Sequence, residues 1–368
     1  MKYITTIHLV YPHEQKARTP DAIGFNLAKK LRAYGYKVHS YDLYEKPNDD
    51  FTPTKNDILL GHPRWERNNT FNLLSRKKGW GRVIVLHPFC PLDLWTYAHL
   101  YFYCIFADRF IAITGKYWEK NVRYTPFAEW TGKFRQIDLA IDQNFFPTVK
   151  KRFNPPGKRK FIFIGNHTHY KNVSFLDKLA GRLKHIEFHR IGPKSKKFKN
   201  LIQHGAHELS SLESVNIIKG IDFMVTAGNL DANPTTVIES SSMGLIAICP
   251  VGSGYEENDG VFNISGTNID LAINQINKLN LISEVELNKK RKKMYLLIKD
   301  RYNWTVFTEN IIKEIQSKKR YSYRIRSLYN LFLIYFFYYV VGKKSPWRMW
   351  AKKYFHQYKS YILEFFKS

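Results

Sequence analysis

Residues 229–257, NLDANPTTVIESSSMGLIAICPVGSGYEE, constrain the fold more than any other stretch, because they read as loop, helix, strand and Gly-rich loop in immediate succession. Asn233 is a candidate helix cap, and Pro234 suits the first helical position, where its missing N–H would be unpaired anyway. Gly244 supplies a left-handed stop, so a helix is expected over roughly 234–243. Leu245 to Cys249 is then a short apolar run between Gly and Pro, the pattern of a strand buried on both faces, and Gly252 and Gly254 open the next loop. Asp231 lies just before the helix and Glu239 two turns into it. Between them the backbone N–H groups of Thr235 and Thr236 point out of the helix start, which makes a seat for a phosphate beside polyol hydroxyls. Capped helices followed by strands also occur in any α/β protein, so the segment alone leaves a purely structural role open.

A chain of 368 residues is long for one domain and comfortable for two. Its cysteines, Cys90, Cys104 and Cys249, sit in apolar surroundings without C-x-x-C spacing, which points to buried thiols in a reducing compartment rather than a disulfide or zinc. MKYITTIHLVYP reads as a strand without a small-residue cleavage site, so a cytoplasmic protein is expected. The charge balance is extreme: 58 basic against 31 acidic residues, a net +27, which implies an anionic partner.

Lys2 to Val10 reads as the first strand, Thr19-Pro20-Asp21 as the cap of a helix running to Tyr34, and Lys37 to Leu43 as a second strand. This is a βαβ opening without Gly-x-Gly-x-x-Gly, which argues against a nicotinamide enzyme. Asp57 to Gly61 and Val83 to Leu86 are further buried strands, each running into a His-Pro pair, His62-Pro63 and His87-Pro88. In open parallel sheets ligands sit beyond the carboxyl ends of strands, where both imidazoles would stand. KKRFNPPGKRK, residues 150–160, reads as a linker. The expected architecture is therefore α/β, with a first domain over 1–149, a second over 161–317 and a tail over 318–368.

In its order of motifs the chain resembles family 4 glycosyltransferases of the GT-B fold. Asp231 to Glu239 followed by Ser240 to Gly244 is similar to the family's Glu-x7-Glu and Ala-x-x-x-Gly, with a shorter first acid and a Ser-rich helix as departures. FADRFIAIT at 106–114 resembles "ADRVIAVS", and KFRQIDLAIDQNFFP at 133–147 resembles "VIPNGID…FKP". GNHTHYKN at 165–172 resembles Gly-Arg-Leu-x-x-x-Lys-Gly, with Lys171 at the lysine and Asn166 or His167 where the arginine would fall. IEFHRIG at 186–192 resembles "L.IVGxG", and Tyr302-Asn303-Trp304 the closing "F-S-W".

The resemblance implies two Rossmann-like parallel-sheet domains facing a cleft and a retaining transfer from a nucleotide sugar. It implies a diphosphate on Lys171 and the N–H groups of Thr235 and Thr236, ribose hydroxyls on Glu239, and the donor sugar on Asp231 and the Gly252–Gly254 loop. Gly165, Gly192 and Asn233 complete the donor side. A histidine facing the reacting sugar would be His87 first and His62 second. No Asp-x-Asp follows a strand, so neither a metal nor any cofactor beyond the nucleotide-sugar substrate is expected.

Residues 318–368 carry 12 Lys or Arg against a single acid, Glu364. Trp347, Trp350, Tyr354, Phe355, Tyr358, Tyr361 and Phe365 recur at helical spacing, with Lys352, Lys353, Lys359 and Lys367 on the other side, the pattern of an interfacial amphipathic helix. Leu328 to Val341 is apolar but spans only about 21 Å as a helix, short of the ~30 Å hydrocarbon core. Peripheral attachment to an acidic inner-membrane surface, with a lipid-linked or glycan acceptor as in bacterial surface polysaccharide or lipopolysaccharide assembly, is the expectation. No nucleic acid is expected as partner, although basic-aromatic interleaving also suits single strands. A nucleic-acid binder and a catalytically inactive GT-B scaffold stay open as alternatives. The basic run KKRKK at 289–293 is expected to be a solvated helix face.

Overall fold

The computed structural model describes residues 5–14, 19–64, 68–89, 105–122, 132–228, 231–256 and 260–317, with single positions 100, 103 and 329 besides. The tail expected over 318–368 therefore lies outside the described residues, apart from Tyr329, as do Cys90 and Cys104. Cys249 is buried.

The first half builds β1 (Thr6–Val10), α1 (Thr19–Ala33), β2 (Lys37–Tyr41), β3 (Asp57–Gly61), α2 (Thr70–Leu74), β4 (Arg82–Pro88), β5 (Arg109–Ile113), α3 (Lys116–Asn121) and β6 (Phe134–Ile137). The second builds β7 (Phe161–Ile164), α4 (Val173–Arg182), β8 (Phe188–Ile191), β9 (Ile202–Gly205), α5 (Leu212–Lys219), β10 (Phe223–Val225), α6 (Thr235–Ser242), β11 (Ile246–Cys249) and β12 (Phe262–Asn263). Helices α7 (Ile269–Asn280), α8 (Glu284–Asp300) and α9 (Trp304–Gln316) follow.

Two six-stranded sheets result, ordered β2-β1-β3-β4-β5-β6 and β12-β11-β10-β7-β8-β9. Every strand pairing in both is parallel. The sequence dictates this: DILLG, RFIAI, FIFI and IAIC are near-continuous apolar runs with no polar alternation, so both faces must be covered by helices. Each side chain so buried contributes roughly 1.5–3 kcal/mol.

The last helix is a tertiary surprise. Although α9 follows the second half in sequence, Trp304, Phe307, Ile311 and Ile315 pack into the first half's core with Leu27, Leu31 and Ile111. Arg109, buried in β5, donates to Glu314 at 2.9 Å, and Arg82 donates to the carbonyls of Glu314 and Ile315.

The linker is likewise packed rather than loose. Lys150 and Arg159, in the stretch that reads as a linker, are buried, and Phe153 joins the second core. The reason is Asp222, which sits under the linker, accepts from the backbone N–H groups of Asn154 and Lys160, and lies 3.2 Å from the Lys150 ammonium. The KKRKK run differs from its expected solvation in the same way. Lys289, Lys292 and Lys293 are exposed, but Lys290 lies 4.5 Å over the Phe262 ring and donates to Val261, and Arg291 donates to the linker carbonyls of Lys150 and Lys151. Among the described residues no helix is long and apolar enough to cross a membrane.

The halves meet where the loop after β5 touches the loop after β11. Gly115 (φ +87°) and Gly254 (φ +89°) are both left-handed, and a Cβ on Gly115 would fall 2.2 Å from the Gly254 carbonyl oxygen. A methyl group there has no room, since the obstacle is backbone. Gly115→Ala is expected to lower the unfolding free energy by roughly 2–4 kcal/mol, from left-handed strain plus overpacking, in denaturant titration. Retention of wild-type stability would show that the two loops separate freely.

Candidate active site

The carboxyl ends of both sheets carry the candidate residues. On the first half, Tyr11 follows β1, His62 follows β3, and His87 lies at the end of β4. The two imidazoles, from neighbouring strands, stack with centroids 4.2 Å apart and planes 2° from parallel, and Tyr11 meets His62 edge-on at 5.3 Å. Both histidines are buried. Two imidazolium cations at that separation would repel strongly, so the stack favours at most one charge. His87 Nδ1 contacts the Pro88 carbonyl, which can only accept, so Nδ1 carries the proton. Burial pushes the Tyr11 hydroxyl above its ordinary pKa, so it stays a neutral phenol. Tyr11 escaped the sequence reading because nothing in YP after a strand distinguishes it.

On the second half, Gly165 follows β7 and Gly192 follows β8. These turns are laced to neighbouring backbone, Gly165 N–H to Ile191 and Gly192 N–H to Gly205. Past Gly165 a short 3₁₀ turn, His169–Lys171, brings the Lys171 ammonium to 2.5 Å from Asp231 Oδ2. Both side chains are largely buried. Burial raises the Asp231 carboxyl above the usual range, and the neighbouring Lys171 opposes that rise. The pair thus joins two residues sixty positions apart at the foot of α6.

Gly228 makes this approach possible, since a Cβ there would fall 2.5 Å from the Tyr170 carbonyl oxygen and 3.2 Å from Lys171 Cα. The close contact of two loops is invisible in the sequence, which is why Gly228 was not among the expected residues. Asn166 and His167, the positions at which an arginine would complete a clamp, carry none. The nearby Arg190 is fully buried beneath the Gly165 turn, with Nη2 3.5 Å from the Gly165 carbonyl oxygen.

The start of α6 corrects one expectation. Asn233 is not the helix cap: its backbone is left-handed (φ +48°), and its Oδ1 accepts from the Leu139 N–H of the first half at 2.9 Å. Pro234 takes the cap position and offers no side-chain hydrogen bond. The bond from Leu139 N–H holds the Asn233 side chain on the first half, and Asn is among the few residues that tolerate the left-handed backbone found there. The consequence is a helix start without a side-chain cap, with Thr236 half-exposed and Thr235 buried. One turn on, Glu239 is only 4% exposed, so its carboxylate lies beneath the surface rather than open to solvent.

The Gly252–Gly254 loop also has a role that the sequence did not reveal. The Gly252 carbonyl accepts from the buried Trp118 indole of α3 at 3.0 Å, while Gly254 abuts Gly115. Ser253 between them donates to the Gly228 carbonyl at 3.2 Å, and its backbone carbonyl accepts from Asn233 N–H. One loop therefore ties the Lys171 turn, the foot of α6 and the first half together. Among the described residues, no group of three or more His, Cys, Asp or Glu is placed to hold a metal ion.

No family model matches the sequence, and no curated protein matches it. Solved structures do. Sucrose-phosphate synthase from Thermosynechococcus elongatus superimposes with a TM-score of 0.61 at 10% identity, over 84% of this chain and 98% of that one. A trehalose-6-phosphate protein from E. coli bound with UDP-2-fluoro glucose gives 0.60 at 11% identity, over 86% and 100%. Anabaena HepE in complex with UDP and glucose gives 0.55 at 10% identity, over 84% and 99%. With two parallel six-stranded sheets whose carboxyl ends carry the candidate residues, the chain has the GT-B fold.

Proposed function

We propose that the protein transfers a sugar from a nucleotide-sugar donor to a glycan or lipid-linked acceptor, in the manner of family 4 enzymes of surface polysaccharide or lipopolysaccharide assembly. The observation that carries the reading is the Lys171–Asp231 pair standing beside a helix start without a side-chain cap. A departing nucleoside diphosphate develops negative charge. A lysine and the N–H groups of Thr235 and Thr236 meet that charge without a metal, in a partly dehydrated site where such contacts are strong. Asp231, once its lysine turns to the diphosphate, is an acceptor for sugar hydroxyls, with the Gly252–Gly254 loop behind it. The family resemblance assigns the ribose hydroxyls to Glu239, whose carboxylate is buried and must be reached through the wall of the site. His87 and His62 face the acceptor side, and His87 Nε2 is the base. Gly165 and Gly192, whose N–H groups are taken by Ile191 and Gly205, give the donor side turns without side chains. The solved structures with UDP or UDP-2-fluoro glucose bound make uridine donors the first to test.

The tail over 318–368 supports a peripheral place on the cytoplasmic membrane face. Each of its twelve cations contributes roughly 1 kcal/mol near an anionic surface. The acceptor would then be found by search in two dimensions.

Melting temperature in the presence of UDP-, GDP-, ADP- and CMP-sugars tests the reading. One base is expected to stabilise the protein, by about 2.7 kcal/mol at a hundredfold excess over Kd. Absence of a shift with every donor would overturn it and favour an inactive scaffold. Glu239→Ala is expected to weaken the binding of the stabilising donor by roughly 10- to 100-fold, the value of charge-assisted hydrogen bonds. Calorimetric titration of the folded variant measures this, and unchanged affinity would remove Glu239 from the site.

A further inference from the structure

Behind α6, away from the foot where Lys171 and Asp231 meet, lies a recess of about 560 Å³ between the linker, the end of α6 and helix α8. Its walls carry Lys150, Lys151, Arg291 and Lys292 and no acidic residue. Asp222 neutralises Lys150 from beneath, which leaves an excess of three positive charges at the recess. Crowded cations of one sign cost stability unless an anion joins them. The neighbouring Arg159 and Arg291 charges indeed add to burial in holding the Lys150 ammonium below its ordinary pKa, against the pull of Asp222.

A second observation is independent of charge. Ser241, on the wall of the recess, is only 5% exposed, yet its Oγ has no hydrogen-bond partner among the described residues. A buried hydroxyl left so costs about 1–3 kcal/mol, and native structures satisfy such groups. The adjacent serines find carbonyl acceptors, Ser240 at Val237 and Ser242 at Phe146. Ser241 differs in that the residue lines the recess while its Oγ is buried just behind the wall. Tyr295, 49% exposed at the rim, adds a flat ring of the kind that packs against a polyol.

We propose that this recess is a second anion site, which takes a phosphoester on a small polyol: a turn of Ser241 about χ1 brings its Oγ, buried just behind the wall, to donate to a phosphate oxygen, Lys151 and Lys292 close on it from the mouth, and Arg291 supplies field from the wall. The phosphoester could belong to a soluble sugar phosphate or to a lipid headgroup, since the recognising chemistry is the same. Arg291 is positioned for this by its own bonds to the Lys150 and Lys151 carbonyls and to Asn288. Because the recess lies against the helix whose other end is the proposed diphosphate seat, occupancy can stiffen that helix.

Residue-resolved amine acetylation of the full chain, read by mass spectrometry, tests the site with glycerol 3-phosphate and, separately, with phosphatidylglycerol vesicles in phosphatidylcholine. Labelling of Lys151 and Lys292 is expected to slow several-fold with glycerol phosphate or with the vesicles, while Lys55 and Lys196 on other surfaces keep their rates. Protection by the soluble ester identifies a free phosphate ligand, and protection by vesicles alone identifies a headgroup. Ser241→Ala, a small change that need not disturb folding, is expected to abolish most of the protection in either arm. Full protection retained in Ser241→Ala would mean nonspecific surface docking and would overturn the site. So would uniform slowing of all lysines, or no slowing at Lys151 and Lys292 in either arm. Lys171 is read in the same spectra, so a probe that seats at the proposed donor site is seen there and not mistaken for this one.

Discussion

Lys171→Ala is expected to lower kcat/KM for the stabilising donor by about 10²–10³-fold, equivalent to ~2.7–4 kcal/mol of transition-state stabilisation, the usual cost of removing one preorganised charge partner. It removes the one lysine that the described residues bring to the foot of α6, and it leaves Asp231 buried without its cation. That second effect has its own signature. Burial already raises the Asp231 carboxyl, and loss of Lys171 raises it further. An acid whose folded pKa exceeds its unfolded value of about 3.9 binds more protons folded than unfolded, so its contribution to stability falls as pH rises through that interval. The variant should therefore be nearly as stable as wild type near pH 4 and progressively less so toward pH 7. Asp231→Asn in the same chain should restore stability but not turnover. Recovery of turnover in the double variant would assign Lys171 a purely structural role. Steady-state kinetics and denaturation across pH separate the two effects.

Asp222→Ala is expected to produce the largest loss of stability, roughly 3–5 kcal/mol, because it leaves buried charge without a partner. Asp222 is fully buried. Its two oxygens serve the Asn154 N–H and side-chain amide, the Lys160 N–H and the Lys150 ammonium. Arg159, whose pKa burial lowers and Asp222 raises, loses its main opposing charge as well. The sign with pH is opposite to that of Lys171→Ala. Burial holds Lys150 below its ordinary value, so the folded state binds fewer protons there than the unfolded one. Stability contributed by such a base rises with pH, and in Asp222→Ala the depression deepens. The deficit should narrow as pH is raised from about 7 toward about 10, where an unfolded lysine begins to lose its proton. A pH-independent deficit would mean that the lost amide contacts, not the lysine charge, carry the effect.

Strands β1, β3, β4 and β11 were legible because continuous apolar runs bounded by Gly, Pro and Asn have few alternatives, whereas β9 (IQHG) and β12 (FN) carry no such run. FIFI and IAIC must be covered on both faces, and covered parallel strands separated by helices give Rossmann-like halves. The order of Lys171, Asp231, the helix start and Glu239 came from the resemblance to family 4 enzymes, not from burial, and the structure pairs Lys171 with Asp231. Local rules failed where two distant segments compete for one group. The cap at Asn233 is sound chemistry for an isolated helix, but the Leu139 N–H of the first half takes the side chain instead. Lys290 and Arg291 belong to a run that reads as solvated, and Lys150 and Arg159 to a stretch that reads as a linker. Asp222, the Phe262 ring and the linker carbonyls, all remote in sequence, bury them.

The sequence by itself determined the two parallel α/β halves, the succession of loop, helix and strand around residues 229–257, and the set of groups that stand beyond strand ends. Those follow from burial and backbone geometry within some ten residues. Only the tertiary structure decided that α9 belongs to the first core, that His62 and His87 stack, that Lys171 meets Asp231 across Gly228, and that Ser241 lines a basic recess. Each of these is a contact between segments far apart in the chain, whose free energy depends on which other surfaces are already buried, and no local pattern encodes that.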